Sequence, residues 1–200
     1  MIVVIEGISA SGKSTWCRTH ALRYVVPETG PVENSPGPDS DPKAKAAFWT
    51  QCNSRRWQAA LERESSDGIA VCDTDPLKLH YIWSLWRIGE ATQDDWQHQL
   101  ALTRESLLAG LLGFADLYFI SEIDAVTARR RKEGDPTRRR RNFDLHLRLQ
   151  PALLDWYRTL EAVRPGSVHF CLPNQLPEIC SSRGRYDISV FDEMIRRLPC

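Results

Sequence analysis

Gly7-Ile8-Ser9-Ala10-Ser11-Gly12-Lys13-Ser14 fits, with no mismatch, the pattern of a glycine, four residues, a second glycine, a lysine and a serine. The run before it, Met1-Ile2-Val3-Val4-Ile5, is apolar and rich in β-branched residues, as a buried strand requires, and Thr15 to Tyr24 after it reads as a helix. Strand, glycine loop and helix are the context in which this pattern holds phosphate. Glycines let the chain curl until several N–H groups and a helix N-terminus converge on one anion. Gly7, Ser9, Ala10, Ser11, Gly12, Lys13, Ser14 and Thr15 are therefore the candidate nucleotide-binding residues. Lys13 would reach the β- and γ-phosphates, and Ser14 would offer its hydroxyl to Mg²⁺. A nucleoside triphosphate, read as ATP with Mg²⁺, is the expected ligand.

The 200 residues and ordinary apolar content suit one domain, so the same domain must hold the nucleotide and any acceptor. Lys plus Arg equals Asp plus Glu at 26 each, which gives the whole molecule no field to attract nucleic acid or an anionic membrane. The six cysteines show no C-x-x-C spacing, which argues against zinc or a redox pair and favours free thiols in a reducing cytoplasm. Glu6 interrupts the N-terminal apolar run before it could serve as a signal sequence, and Leu107 to Ala115 is far short of the roughly 18 residues of a membrane span. A soluble cytoplasmic protein with no membrane partner is expected, and a homodimer is compatible with the reading.

Further along, Tyr24 to Glu28 reads as a second strand, which puts Glu28 at its carboxyl end. Open parallel sheets bind ligands at that edge, so Glu28 is a candidate general base for an acceptor hydroxyl. Residues 29–42, with four prolines and two glycines, read as an irregular loop, and Lys43 to Ser65 as a long amphipathic helix on which Gln51, Arg55 and Arg56 are more readily solvated than substrate-facing. Ile69 to Asp73 reads as a third, buried strand ending in an acid, which makes Asp73 a candidate metal-binding or basic carboxylate. Asp75 before Pro76 suits a helix cap. Helices are expected over Leu77 to Ile88 and Asp94 to Leu112, with Tyr81, Trp83 and Trp86 read as core aromatics and a base-stacking role open to one of them. Leu117 to Ile120 is a fourth strand and Asp124 to Lys132 a helix. Residues 129–148 then carry nine basic residues against three acidic ones.

Gly134-Asp135-Pro136 splits that run into two basic arms, the shape of a lid over about 129–142. Arginines closing on a transferring phosphoryl group would neutralise its growing charge and exclude water, and Arg129, Arg131 and Arg138 are the candidates. The same run is the one place where the sequence could take nucleic acid. Phe143 to Arg164 reads as a helix, Ser167 to Cys171 as a fifth strand and Asp187 to Leu198 as a closing helix. The five histidines have no ligand spacing or serine-acid partners and read as surface or structural.

Taken together, the chain resembles the P-loop nucleoside and nucleotide kinases: deoxynucleoside kinases, thymidylate kinases and the ribosylnicotinamide kinase type. Ile5-Glu6-Gly7 leading into the loop and on to Thr15 is similar to their opening. Glu28 falls where deoxynucleoside kinases place a catalytic glutamate, and Asp73-Thr74-Asp75 looks like the corresponding segment of ribosylnicotinamide kinases. The arginine-rich lid followed by a helix reaching Trp156-Tyr157 is also similar. The Glu-Arg-Ser of deoxynucleoside kinases and the Asp-Arg-Tyr of thymidylate kinases are both absent from the end of the third strand. The resemblance implies a three-layer α/β/α fold around five parallel strands in the order 2-3-1-4-5. It also implies phosphoryl transfer from ATP·Mg²⁺ to a hydroxyl of a nucleoside-like acceptor, with Lys13 and lid arginines stabilising the group and Asp73 or Glu28 as base. A nucleoside monophosphate or a hydroxylated antibiotic is an alternative acceptor. A regulatory P-loop NTPase and a nucleic-acid-end kinase are the rival classes.

Overall fold

Every residue of Ile2–Glu6 is buried, because strand β1 is the middle of a parallel sheet and is covered on both faces. In the computed structural model, which describes residues 1–28, 35–37, 39–135, 142–178 and 184–199, β1 pairs with β3 (Ala70–Asp73) and with β4 (Leu117–Ile120). The two-residue strands β2 (Val25–Val26) and β5 (Val168–His169) complete the edges, giving the all-parallel order β2-β3-β1-β4-β5 that the resemblance implied. The register sets Ile5 beside Asp73 and Glu6 beside Ile120, so the carboxyl ends of the three central strands lie at one edge.

Alternation along the strands divides the core. Ile2, Val4, Ala70, Cys72, Tyr118 and Ile120 face a cluster containing Trp57, Trp83, Trp156 and Phe191. Val3, Ile5, Val71 and Phe119 face the opposite cluster, with Trp16 and Cys17. These aromatics come from helices α1 (Lys13–His20), α2 (Pro42–Asp67), α3 (Leu79–Arg87), α6 (Phe143–Val163) and α7 (Ile188–Arg197), with α4 (Gln93–Leu108) and α5 (Ala125–Glu133) between. Each buried tryptophan removes about 150–250 Å² from water, roughly 4–6 kcal/mol of gross hydrophobic gain. Local signals fix the ends: Asp41 caps α2 through Ala44 N–H with Pro42 in its first turn, and Thr92 and Asp95 form a reciprocal capping box on α4.

Several boundaries move from the sequence expectation. The first helix stops at His20 and is followed by a short 3₁₀ turn, Leu22–Tyr24, before β2. Helix α3 begins at Leu79 rather than Leu77, because Thr74 and Lys78 both adopt left-handed backbone conformations in the connection before it. Helix α4 ends at Leu108, and α6 runs through Pro151. Residues 29–34 and 38 of the expected loop, and residues 136–141 of the expected lid, lie outside the described residues. No helix among the described residues is long and apolar enough to cross a membrane.

Candidate active site

The chain leaves β1 at Gly7, where φ is 150° and a Cβ would stand 2.6 Å from Ser121 O and 2.7 Å from Ser11 Oγ. Only glycine fits that approach. Gly12, at φ 104°, brings the backbone into α1. The loop is held from both sides: Ser121 at the end of β4 donates its hydroxyl to Ser11 O (2.9 Å), and Lys13 Nζ donates to Gly7 O (2.7 Å) and Ile8 O (3.3 Å). Arg131 on α5 donates to Ser11 O (2.9 Å) and Ala10 O (3.4 Å), so one arginine of the basic run rests on the loop.

Four buried polar atoms around the site have no hydrogen-bond partner among the described residues: Ser11 Oγ in the loop, Asp73 Oδ1 at the end of β3, Thr74 Oγ1 just after it and Ser84 Oγ on α3. Orphaned oxygens of this kind suit a bound polar ligand. Among the described residues no group of three or more His, Cys, Asp or Glu side chains could hold a metal. Mg²⁺ does not need one, since with nucleotides it keeps several waters and takes one or two protein oxygens beside the phosphates. Ser14, which lines the cleft, and the unpartnered oxygen of Asp73 are the oxygens whose chemistry would suit it.

A cleft of about 930 Å³ runs from the loop to Glu28, Thr74, Lys78, His80, Tyr81 and His146. Glu28 is exposed at its edge and pairs with Lys78, Oε1 to Nζ, at 2.7 Å. Partial burial works against its charge, but Lys78, then Lys13 and Arg56, prevail and hold the Glu28 carboxyl below the usual glutamate range. Asp73 does not line the cleft. Its charge helps burial push the neighbouring Cys17 thiol on α1 up to about 12. Of the two candidate bases, the structure brings Glu28 to the open space and sets Asp73 beside α1.

Beneath the cleft floor lies a buried polar cluster. Glu6 accepts the Gly7 N–H (2.8 Å) and the Asp75 N–H (3.0 Å), linking the loop to the end of β3. Asp75 accepts the Leu77 N–H (2.9 Å) and the Tyr157 hydroxyl (3.1 Å). His80 stands between, with Nε2 3.5 Å from Glu6 Oε2 and Nδ1 3.5 Å from the Tyr157 hydroxyl. Burial, then the Glu6 charge, push the Asp75 carboxyl up to about 7, and burial pulls the His80 imidazole down to about 4. Asp75 therefore does cap a backbone N–H, as expected, but not as the start of a helix, and its second oxygen is committed to α6.

Arg56 is buried instead of solvated. It donates to the carbonyls of Pro27 (3.2 Å), Asp73 (2.9 Å), Thr74 (2.9 Å) and Asp75 (3.4 Å), tying the ends of β2 and β3 together. Gln51 and Arg55 are exposed. Arg129 turns away from the loop: it pairs with Asp144 at 2.7 Å and lies over Phe143, fastening α5 to α6. Arg138 lies outside the described residues. Trp83 is core and Trp86 stacks on Trp96, whereas Tyr81 lines the cleft. The sequence reading missed Lys78, His80, His146 and Tyr157. Their only sequence signal is a position just after a strand's carboxyl end or on the inner face of α6.

No protein-family model matches the chain, and a comparison with curated proteins finds no match. Among solved structures it is similar to deoxyadenosine kinase from M. mycoides with bound dATP, at 15% identity and a TM-score of 0.54 over 99% of each chain. The same enzyme with bound dCTP superposes with a TM-score of 0.57 at 15% identity, over 99% of this chain and 98% of that one. At this identity the likeness is one of fold.

Proposed function

We propose that the chain is an ATP- and Mg²⁺-dependent kinase that transfers the γ-phosphoryl group to a hydroxyl of an uncharged, nucleoside-like small molecule. The observation that carries this reading is the sharing of one cleft by Lys13, Arg131 and the Glu28 carboxylate. Phosphoryl transfer asks for that set: cations on the phosphates and a carboxylate to orient the attacking hydroxyl. Mg²⁺ held by Ser14 and Asp73 would neutralise charge on the β- and γ-phosphates. The loop N–H groups and Lys13 hold the phosphates, Arg131 counters the charge that grows on the moving group, and Glu28 orients the hydroxyl and receives its proton. The low position of the Glu28 carboxyl suits a transition state with little bond formation to the nucleophile, in which aiming the hydroxyl matters more than a strong base.

The fold shared with nucleoside kinases supports this class. A cytoplasmic location agrees with the demand for ATP. The test is transfer from γ-labelled ATP with Mg²⁺ to a panel of nucleosides, nucleoside monophosphates, hydroxylated antibiotics and a 5′-hydroxyl oligonucleotide, with Lys13→Ala as blank. A labelled nucleoside that is absent from the blank is the expected result. ATP hydrolysis with no labelled acceptor would turn the assignment toward a regulatory NTPase, and a labelled oligonucleotide would turn it toward nucleic-acid ends.

A further inference from the structure

An ion pair spans the acceptor end of the cleft. Lys78 Nζ lies 2.7 Å from Glu28 Oε1, joining the segment after β2 to the residue before α3. Glu28 Oε2 makes no hydrogen bond among the described residues. Lys78 holds its place at a cost, with φ 43° and ψ 14°, since a left-handed backbone crowds the Cβ of any residue but glycine. Such conformations persist where the surroundings over-determine them, and they collect at functional sites. Among the described residues the non-glycine positions with positive φ are Ala10, Thr74 and Lys78, and all three line this cleft.

The groups around Glu28 leave Lys78 a distinct part. Lys13 and Arg56 also act on Glu28 through their charge, but Lys13 is bonded to the loop and Arg56 to backbone carbonyls. His80, Tyr81 and His146 face the Glu28 charge from α3 and α6. The Lys78 ammonium lies 5.8 Å from the centre of the Tyr81 ring, which has the His146 ring 6.1 Å away on α6. Among the described residues Lys78 is thus the cation that touches the Glu28 carboxylate.

We propose that Lys78 is a positioning and specificity-determining residue, which fixes Glu28 Oε1 so that Oε2 meets the acceptor hydroxyl, and which makes this end of the cleft select an uncharged hydroxyl compound over one already carrying a phosphate. The inference rests on the kinase reading above. As the hydroxyl oxygen bonds to the γ-phosphorus, the bond from phosphorus to the β,γ-bridging oxygen breaks, ADP leaves, and the hydroxyl proton passes to Glu28 Oε2. An acceptor phosphate would meet a Lys78 ammonium already neutralised by Glu28 and would set its own negative charge against the Glu28 carboxylate.

The test compares wild type with Lys78→Met, Lys78→Gln, Lys78→Arg, Glu28→Gln and Lys78→Met/Glu28→Gln, using ATP with a nucleoside or its 5′-monophosphate. Wild type should favour the nucleoside at least tenfold in kcat/KM. Lys78→Met and Lys78→Gln should lower kcat at least tenfold with little change in KM for ATP, and should move the acid limb of the kcat profile up toward the usual glutamate range. Lys78→Arg, which keeps the cation, should recover most of the rate. The double variant should be no slower than Glu28→Gln within about twofold, because Lys78 acts through Glu28. An unchanged kcat and acid limb in both Lys78→Met and Lys78→Gln, a multiplicative loss in the double variant, or a wild-type preference for the monophosphate overturns the proposal. Transfer by wild type to neither acceptor overturns the kinase reading itself, whereas transfer that ignores Lys78 overturns only its role.

Discussion

Replacing Asp75 by Asn separates two opposing proton linkages in the buried cluster. In the folded chain the Asp75 carboxyl is pushed from its ordinary 3.8 up to about 7. Between those values folded Asp75 keeps a proton that the unfolded chain has released, so rising pH favours unfolding. Each pH unit across that interval is worth about 1.4 kcal/mol, so this group alone removes about 4 kcal/mol of stability across the window. His80 runs the other way. It is pulled from 6.5 to about 4, so in that interval the unfolded chain holds the extra proton and stability grows with pH, by about 3 kcal/mol in all. In wild type the two slopes nearly cancel from about pH 4 to 6.5. Asp75→Asn keeps an oxygen for the Leu77 N–H, offers its amide N–H₂ to the Tyr157 oxygen in place of the second carboxylate oxygen, and removes the titration, so the His80 slope stands alone. Urea unfolding followed by tryptophan fluorescence, at steps from about pH 4 to 8 without nucleotide or Mg²⁺, gives both stability curves. All other carboxylates are common to the two proteins and drop out of their difference. That difference should grow in favour of the variant by about 4 kcal/mol between roughly pH 4 and 7. A difference curve flat to within about 1 kcal/mol would refute the claim that folded Asp75 stays protonated through this range.

Three further substitutions test the frame of the site. Gly7→Ala should cost about 2 kcal/mol or more, read as a fall in melting temperature, because its Cβ would meet Ser121 O and Ser11 Oγ inside van der Waals distance. Arg56→Met should cost on the order of 3 kcal/mol by urea unfolding, since it strands the buried carbonyls of Asp73, Thr74 and Asp75 and frees that of Pro27; a loss below about 1 kcal/mol would show that those bonds do not hold the strand ends. Arg131→Ala should lower kcat roughly tenfold or more while ATP binding by equilibrium dialysis changes far less, and equal loss in both would make Arg131 a loop-stabilising residue only.

The glycine loop's conformation and the sheet were legible because each is specified locally, the loop by glycine spacing and the strands by short apolar runs. Strand order was legible only through the resemblance. The polar cluster was not, because its members are brought together by topology: Tyr157 stands 82 residues from Asp75, and no local pattern connects them. The sequence around Asp75 shows a cap, which is half of what it does, and the half that binds Tyr157 belongs to the burial that raises its carboxyl. Arg56 is different, since a signal for it was present. Asn53, Arg56, Trp57 and Ala60 fall at i, i+3, i+4 and i+7, and all four are buried on one face of α2. An arginine on the apolar stripe of a helix cannot be left without acceptors, since an unpaired buried charge costs far more than the packing around it returns. The acceptors with spare capacity near a parallel sheet are the carbonyls where its strands run out, and that edge is where ligands bind. A charged residue in phase with a helix's buried face therefore points, by its spacing alone, to the ligand-binding edge of the sheet, and Arg56, rather than its solvated neighbour Arg55, carried that information.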